Sequence, residues 1–278
     1  MGDRMRTGAE PIRIGDQLRD SYASGWVNAP CTFVCSTGRV GTLTLTRLLA
    51  LAPEAHSAHE PVPRLIHASY EAFVDRCADP RWRTVVLGAR DDLLCDAHRR
   101  GRTYVETSNR LTFLAPALAE VFPDSRFVHL HRHPYEFVRS AVRRGHYDGH
   151  HWDFARPRPR PGDAELAEWD SFTAAERCGW LWAVVNRESA AFVRSLPAER
   201  ALSVRADELF AGDAAVLTEL FRLVGVSAPP DKAVRRVLGE QHNAQQVGDF
   251  ALDDATRRAV DKLVGPVAEQ LGYVLGDG

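Results

Sequence analysis

No apolar run in this 278-residue chain is long enough to cross a bilayer, and its first 30 residues are polar and charged throughout. Neither a membrane span nor a secretory leader is therefore expected. Cysteine is sparse and odd in number, five residues with no Cys-x-x-Cys pair. That excludes a disulfide framework and predicts reduced, mostly buried thiols in a soluble cytoplasmic protein. No sign of charge dominates either: 35 Lys and Arg against 37 Asp and Glu give a formal net charge of -2. A surface coated for nucleic acid is thereby excluded, and no nucleic-acid partner is expected. Internal repeats are absent. What the chain does have is 45% hydrophobic residues, enough for a sizeable core, and arginine as its dominant cation. Arginine gathers at 139–144 and 156–160. Its planar fork donates two hydrogen bonds at once, which suits oxyanions.

Residues 1–29 read as a polar lead-in. "CTFVC" (31–35) is short, apolar, β-branched and aromatic, the pattern of a buried strand. From Thr42 the spacing turns helical, with Leu45, Leu48, Leu49 and Ala52 on one stripe, and Pro53 closes it. A second helix is expected over 63–78, whereas "TVVLGA" (84–89) fits strand or helix. "TYVET" (103–107) and "RFVHLH" (126–131) read as strands, each followed by a helix, 111–122 and Pro134 to about Tyr147. Residues 148–169, rich in Pro, Arg, His and aromatics, break the pattern as an irregular surface insert, partly polyproline. A helix over 173–195, a strand over 200–207 and two or three closing helices follow. The last of these lies near 254–274, with Pro266 expected to kink or split it. Strands separated by helices predict an α/β fold: one domain over 1–278, with a central mainly parallel sheet and helices on both faces. Ligands of such sheets bind beyond the carboxyl ends of the strands. That rule puts 36–42, 107–110 and 131–134 on one rim.

The turn "CSTGRVGT" (35–42) joins the first strand to the first helix. Gly38 and Gly41 let backbone amides face an anion without obstruction, and the helix behind them offers its own free amides. Thr37 and Thr42 add hydroxyl donors, and Arg39 adds a full charge. The lysine of a Walker loop is missing, because Gly41 stands before Thr42. Thr-Gly-Arg-Val-Gly-Thr instead resembles the 5′-phosphosulfate loop of the sulfotransferase family, with Val40 where a Ser often stands. A second motif, "HRHPYEFVRS" (131–140), resembles that family's 3′-phosphate motif. Arg132 would pair with the phosphate, Pro134 would open a helix, and Ser140 would donate from two turns along. His133 replaces the usual Asp. The resemblance is good over about 31–60 and 104–147 and weaker over 178–274. It implies a P-loop-like three-layer fold and a sulfotransferase that uses 3′-phosphoadenosine-5′-phosphosulfate (PAPS) as co-substrate without a metal. The nucleotide would be held by Thr37, Gly38, Arg39, Val40, Gly41, Thr42, Leu43, Arg132 and Ser140.

Sulfuryl transfer to a hydroxyl needs a base and a cation at the leaving oxygen. Arg39 suits the second task. The resemblance to glycan-type and bacterial branches implies Glu60, in "HSAHEP" (56–61), as base, with His59 as second choice. On an extended segment neighbouring side chains diverge, so one of the two is expected to enter the site. The competing reading of Glu60 is a cap for the helix after Pro61–Pro63. In "ETSNRL" (106–111), Asn109 and Arg110 can contact donor or acceptor with Glu106 ordering them, or Ser108 and Asn109 can simply cap a helix. Asn243 is placed near the donor. His129, His131 and His133 alternate, yet no carboxylate or cysteine set joins them at metal-ligand spacing, so core or rim histidines are expected. His146, His150, His151 and Trp152 form either an acceptor lid or a solvated loop. The acceptor, a small molecule, glycan or natural product, stays open, as does the oligomeric state, a homodimer included. Two other functions compete: a P-loop-type nucleotide or small-molecule kinase, and a non-catalytic nucleotide-binding module.

Overall fold

The computed structural model describes residues 28–239 and 252–276. Five strands form the sheet: β1 Cys31–Cys35, β2 Ala55–His59, β3 Thr103–Thr107, β4 Arg126–His131 and β5 Ala201–Arg205. Their order is β2–β3–β1–β4–β5, and every pairing is parallel. All of β1 is buried, as a central strand covered on both faces must be. Successive side chains alternate between those faces. Phe33, Tyr104 and Phe127 join a large aromatic cluster on one side, whereas Val34, Val105 and Val128 join a smaller aliphatic cluster on the other.

Helices cover both clusters. On the aliphatic face lie α1 (Thr42–Leu49), the short α7 (Ala206–Ala211), α8 (Ala214–Val224) and α9 (Asp231–Gly239). On the aromatic face lie α2 (Ile66–Val74), α3 (Arg81–Arg99), α4 (Ala115–Val121), α5 (Pro134–Val142), α6 (Ala174–Ser195) and α10 (Asp254–Gln270). The result is the three-layer α/β arrangement that the strand–helix alternation predicts. Among the described residues no helix is long and apolar enough to cross a membrane.

Several local expectations change. Residues 84–89 are helical: Trp82, Val86, Ala89 and Arg90 are buried at turn spacing within α3. The helix expected over 111–122 begins as a 3-10 turn at Asn109–Leu114 and continues as α4. Residues 55–59 are an edge strand, beyond the merely extended segment that their sequence suggests. They pair on one side only and bury little, so no apolar run marks them. Pro266 sits inside an α10 that runs unbroken to Gln270. The insert is also less exposed than its composition implies. Arg156 and Arg160 are 7% and 6% exposed. Arg156 pairs with Asp153 at 2.7 Å, and Arg160 donates to the Phe73 carbonyl at 3.1 Å and to Glu188 at 2.8 Å. These partners, remote in sequence for Arg160, hold guanidiniums that polarity alone would send to solvent, with Arg160 Nε left buried without a hydrogen bond.

Candidate functional site

At the carboxyl end of β1 the chain makes a glycine-rich, left-handed turn. Gly38, Arg39 and Gly41 have φ of 72°, 59° and 91°, all left-handed. For Arg39 that conformation carries strain, which is concentrated at functional turns. Gly41 cannot be replaced without movement, since an added Cβ would stand 2.4 Å from the Phe210 ring. Gly41 is also the N-cap of α1 and offers no side chain to the helix's first amides. Ser36 fastens the base of the turn: its amide donates to Thr112 Oγ1 at 3.0 Å, and the same hydroxyl donates back to the Ser36 carbonyl at 3.0 Å. Thr37, Gly38, Arg39, Gly41, Thr42 and Leu43 all border one cleft of about 290 Å³. Val40 does not; its side chain is 1% exposed and packs in the aliphatic core.

The second motif reaches the same cleft through Arg132 and Ser140. Arg39 Nε donates to Ser140 Oγ at 3.1 Å, so the two motifs touch. Arg132 forms an ion pair with Glu136 one helical turn ahead. His133 caps α5, its Nδ1 accepting from the Tyr135 amide at 3.3 Å. An imidazole thus does the capping work of an aspartate.

Both Glu60 and His59 border the cleft. The expected divergence fails for a backbone reason: Glu60 has φ of 44°, so strand alternation stops at His59. Nor is Glu60 a helix cap, because α2 starts only at Ile66 behind Leu65. His59 Nδ1 lies 3.0 Å from the Thr107 carbonyl and 2.9 Å from Thr107 Oγ1. A carbonyl only accepts, so Nδ1 carries a proton, and Nε2 is the ring's acceptor in its neutral form.

Glu106 is elsewhere. It does not order Asn109 and Arg110; it is fully buried against Arg90, whose Nε and Nη2 grip its two oxygens at 2.6 and 2.7 Å, with Tyr104 donating at 2.9 Å. Ser108 caps the 3-10 turn, accepting from the Arg110 amide at 3.3 Å. Asn109 abuts Gly38, and both Asn109 and Arg110 border the cleft. From the insert side come His146, His150, Trp152 and Arg156. Arg156 is the residue that sequence reasoning left without a site; the arginine cluster at 156–160 was its only signal. His151 is exposed and outside the cleft lining. Asn243 lies outside the described residues.

Four guanidiniums, Arg39, Arg110, Arg132 and Arg156, thus face one carboxylate, Glu60, across a small space. Burial lowers the affinity of Arg39 for its proton, and the nearby Arg144 and Arg132 lower it further. Burial and then Arg156 do the same to Arg110. Burial, Arg156 and His150 hold His146 far below the usual imidazole range, so it stays neutral. The field favours a multiply charged anion. His129 and His131 take no part. His129 bonds Asn186 at 2.9 Å and His131 bonds Tyr273 at 2.9 Å, both as core residues. Among the described residues no group of His, Cys, Asp and Glu is arranged to hold a metal.

The sequence model described as "Sulfotransferase family" matches residues 30–230. Solved structures agree in fold. The sulfotransferase domain from the curacin biosynthetic pathway is 17% identical, covers 89% of this chain and 99% of its own, and superposes with a TM-score of 0.55. The sulfotransferase domain of the Synechococcus PCC 7002 olefin synthase is 18% identical, covering 89% and 96%, with a TM-score of 0.56. A sulfotransferase from Alicyclobacillus acidocaldarius is 16% identical, covering 88% and 97%, with a TM-score of 0.53. No curated protein matches the chain by sequence.

Proposed function

Since this chain belongs to the sulfotransferase family, we propose that it transfers a sulfuryl group from PAPS to a hydroxyl of a small molecule, glycan or natural product in the cytoplasm. The observation that carries this reading is the convergence of Arg39, Arg132 and Glu60 on one cleft at the strand ends. The amides of 38–42, with the Thr37 and Thr42 hydroxyls, hold the 5′ end of the donor. Arg132 and Ser140 hold the 3′-phosphate, Arg132 exchanging Glu136 for it. The acceptor oxygen attacks sulfur in line. A new S–O ester bond forms, and the bond from sulfur to the 5′-phosphate oxygen breaks with its electron pair going to that oxygen. Glu60 takes the hydroxyl proton and releases it to water, while Arg39 neutralises the leaving oxygen. Adenosine 3′,5′-bisphosphate then departs.

The bisphosphate is expected to raise the melting temperature, whereas ATP with magnesium is not; the reverse pattern supports a kinase. Arg132→Ala is expected to weaken bisphosphate binding roughly 10- to 100-fold, the worth of a charge-assisted contact. Unchanged affinity overturns the 3′-phosphate assignment. Glu60→Gln is expected to keep bisphosphate binding and to lose on the order of 100- to 10,000-fold in turnover. A second reading has one observation in its favour: the Thr107 carbonyl holds a proton on His59 Nδ1, so that the neutral ring would present Nε2 as a base. Turnover that survives in Glu60→Gln and vanishes in His59→Asn selects it.

A further inference from the structure

Of the four cleft guanidiniums, three are engaged. Arg132 is paired with Glu136, Arg39 is bonded to Ser140, and Arg156 is paired with Asp153. Arg110 differs. Among the described residues its side chain has no hydrogen bond and no carboxylate at ion-pair distance, although it is half-buried and feels the more distant field of Glu60. A cation drawn partly out of water without a partner is costly, and a ligand anion removes that cost. His146 beside it brings no second charge: it borders the cleft, is 8% exposed and stays neutral, with its Nδ1 enclosed by protein. Beside them Trp152 offers an aromatic surface.

We propose that Arg110 forms an oxyanion anchor for the acceptor, so that the preferred acceptor carries a carboxylate or phosphate close to the hydroxyl that is sulfated, on a flat apolar body that lies against Trp152. This rests on the PAPS reading above and narrows it from any hydroxyl to an anionic hydroxylated compound. Arg39 and Arg132 serve the donor, whereas Arg110 stays available after the donor is seated. Arg156, its charge paired with Asp153, also borders the cleft, and burial first, then Arg156 and His150, keep His146 neutral.

The test uses the full chain saturated with PAPS and three probes that have no hydroxyl to sulfate: benzoate, phenylphosphonate and neutral benzamide. Binding is read by calorimetry or saturation-transfer NMR, with the affinity for PAPS measured first. Either anion is expected to bind roughly tenfold or more tightly than benzamide. The stronger of the two identifies the acceptor's group as carboxylate or phosphate. In Arg110→Met the advantage is expected to vanish with PAPS affinity kept within about threefold, and Arg110→Lys is expected to restore part of it. Parity of benzamide with both anions, or a preference that survives Arg110→Met, overturns the anchor. A large loss of PAPS affinity in Arg110→Met also overturns it, by assigning Arg110 to the donor. Failure of the wild-type chain to bind PAPS is a different outcome, which removes the donor reading itself and the anchor with it.

Discussion

Glu106→Gln removes one charge from a pair that water does not reach, both side chains being 0% exposed. Three donors converge on the carboxylate, two from Arg90 and one from Tyr104. Burial pushes the Glu106 carboxyl upward and the Arg90 fork opposes it. With every oxygen already accepting, the ionised form is the one the site stabilises. Glutamine keeps the shape, loses the charge, and turns an amide donor toward a guanidinium donor. Stranding one member of a buried pair costs about 3–5 kcal/mol. At roughly 2–4 °C per kcal/mol for a large domain, melting should fall by about 6–20 °C. Arg90 Nη1 also holds the Pro63 carbonyl at 3.0 Å, three residues beyond Glu60. The same change therefore loosens the turn that carries the proposed base. Urea and thermal denaturation followed by near-UV circular dichroism measure the loss. The double variant Arg90→Met, Glu106→Leu strands no charge and is expected to recover most of it. A loss below about 1 kcal/mol in Glu106→Gln, or a double variant no better than the single, refutes the reasoning.

Gly41→Ala combines a left-handed φ of 91° with a Cβ 2.4 Å from Phe210. It is expected to cost about 1–3 kcal/mol and to weaken bisphosphate binding; unchanged binding in calorimetry contradicts the phosphate-loop assignment. Burial pushes the Cys35 and Cys178 thiols up to about 12. They should resist iodoacetamide at pH 8 in the folded protein while the half-buried Cys95 labels first, ahead of Cys77, whose thiol burial pushes up to about 11, as mass spectrometry can check. Burial lowers His129 to about 4 and His131 to about 3. The unfolded chain binds these protons near pH 6.5 and the folded chain does not, so their contribution is whole above about pH 6.5 and is lost as pH falls toward 4. Urea midpoints should drop from pH 7 to pH 5, less steeply in His129→Gln; a flat profile contradicts the burial.

The parts of the site legible in the sequence are those built from neighbours in the chain. The glycine turn announces itself because strand, glycines and helix are consecutive, and the Arg132 motif is likewise one strand end and one helix start. What escaped has remote causes. Glu60 enters the cleft beside His59 because its backbone turns left-handed, in a segment whose following Pro63 carbonyl is held by Arg90. Glu106 reads as a rim residue until Arg90, sixteen positions earlier, closes on it. Arg156 and Arg160 look solvated until Asp153, Phe73 and Glu188 supply the contacts that hold them in the interior.

The order of residues alone therefore determined the parallel α/β layering and the two turns that border the cleft, because periodicity and turn chemistry are local properties of the chain. Only the tertiary structure decided which charges are paired and which are left facing the cleft. Ion pairing depends on distances between segments far apart in sequence, and in a buried setting those distances set the charge each site presents.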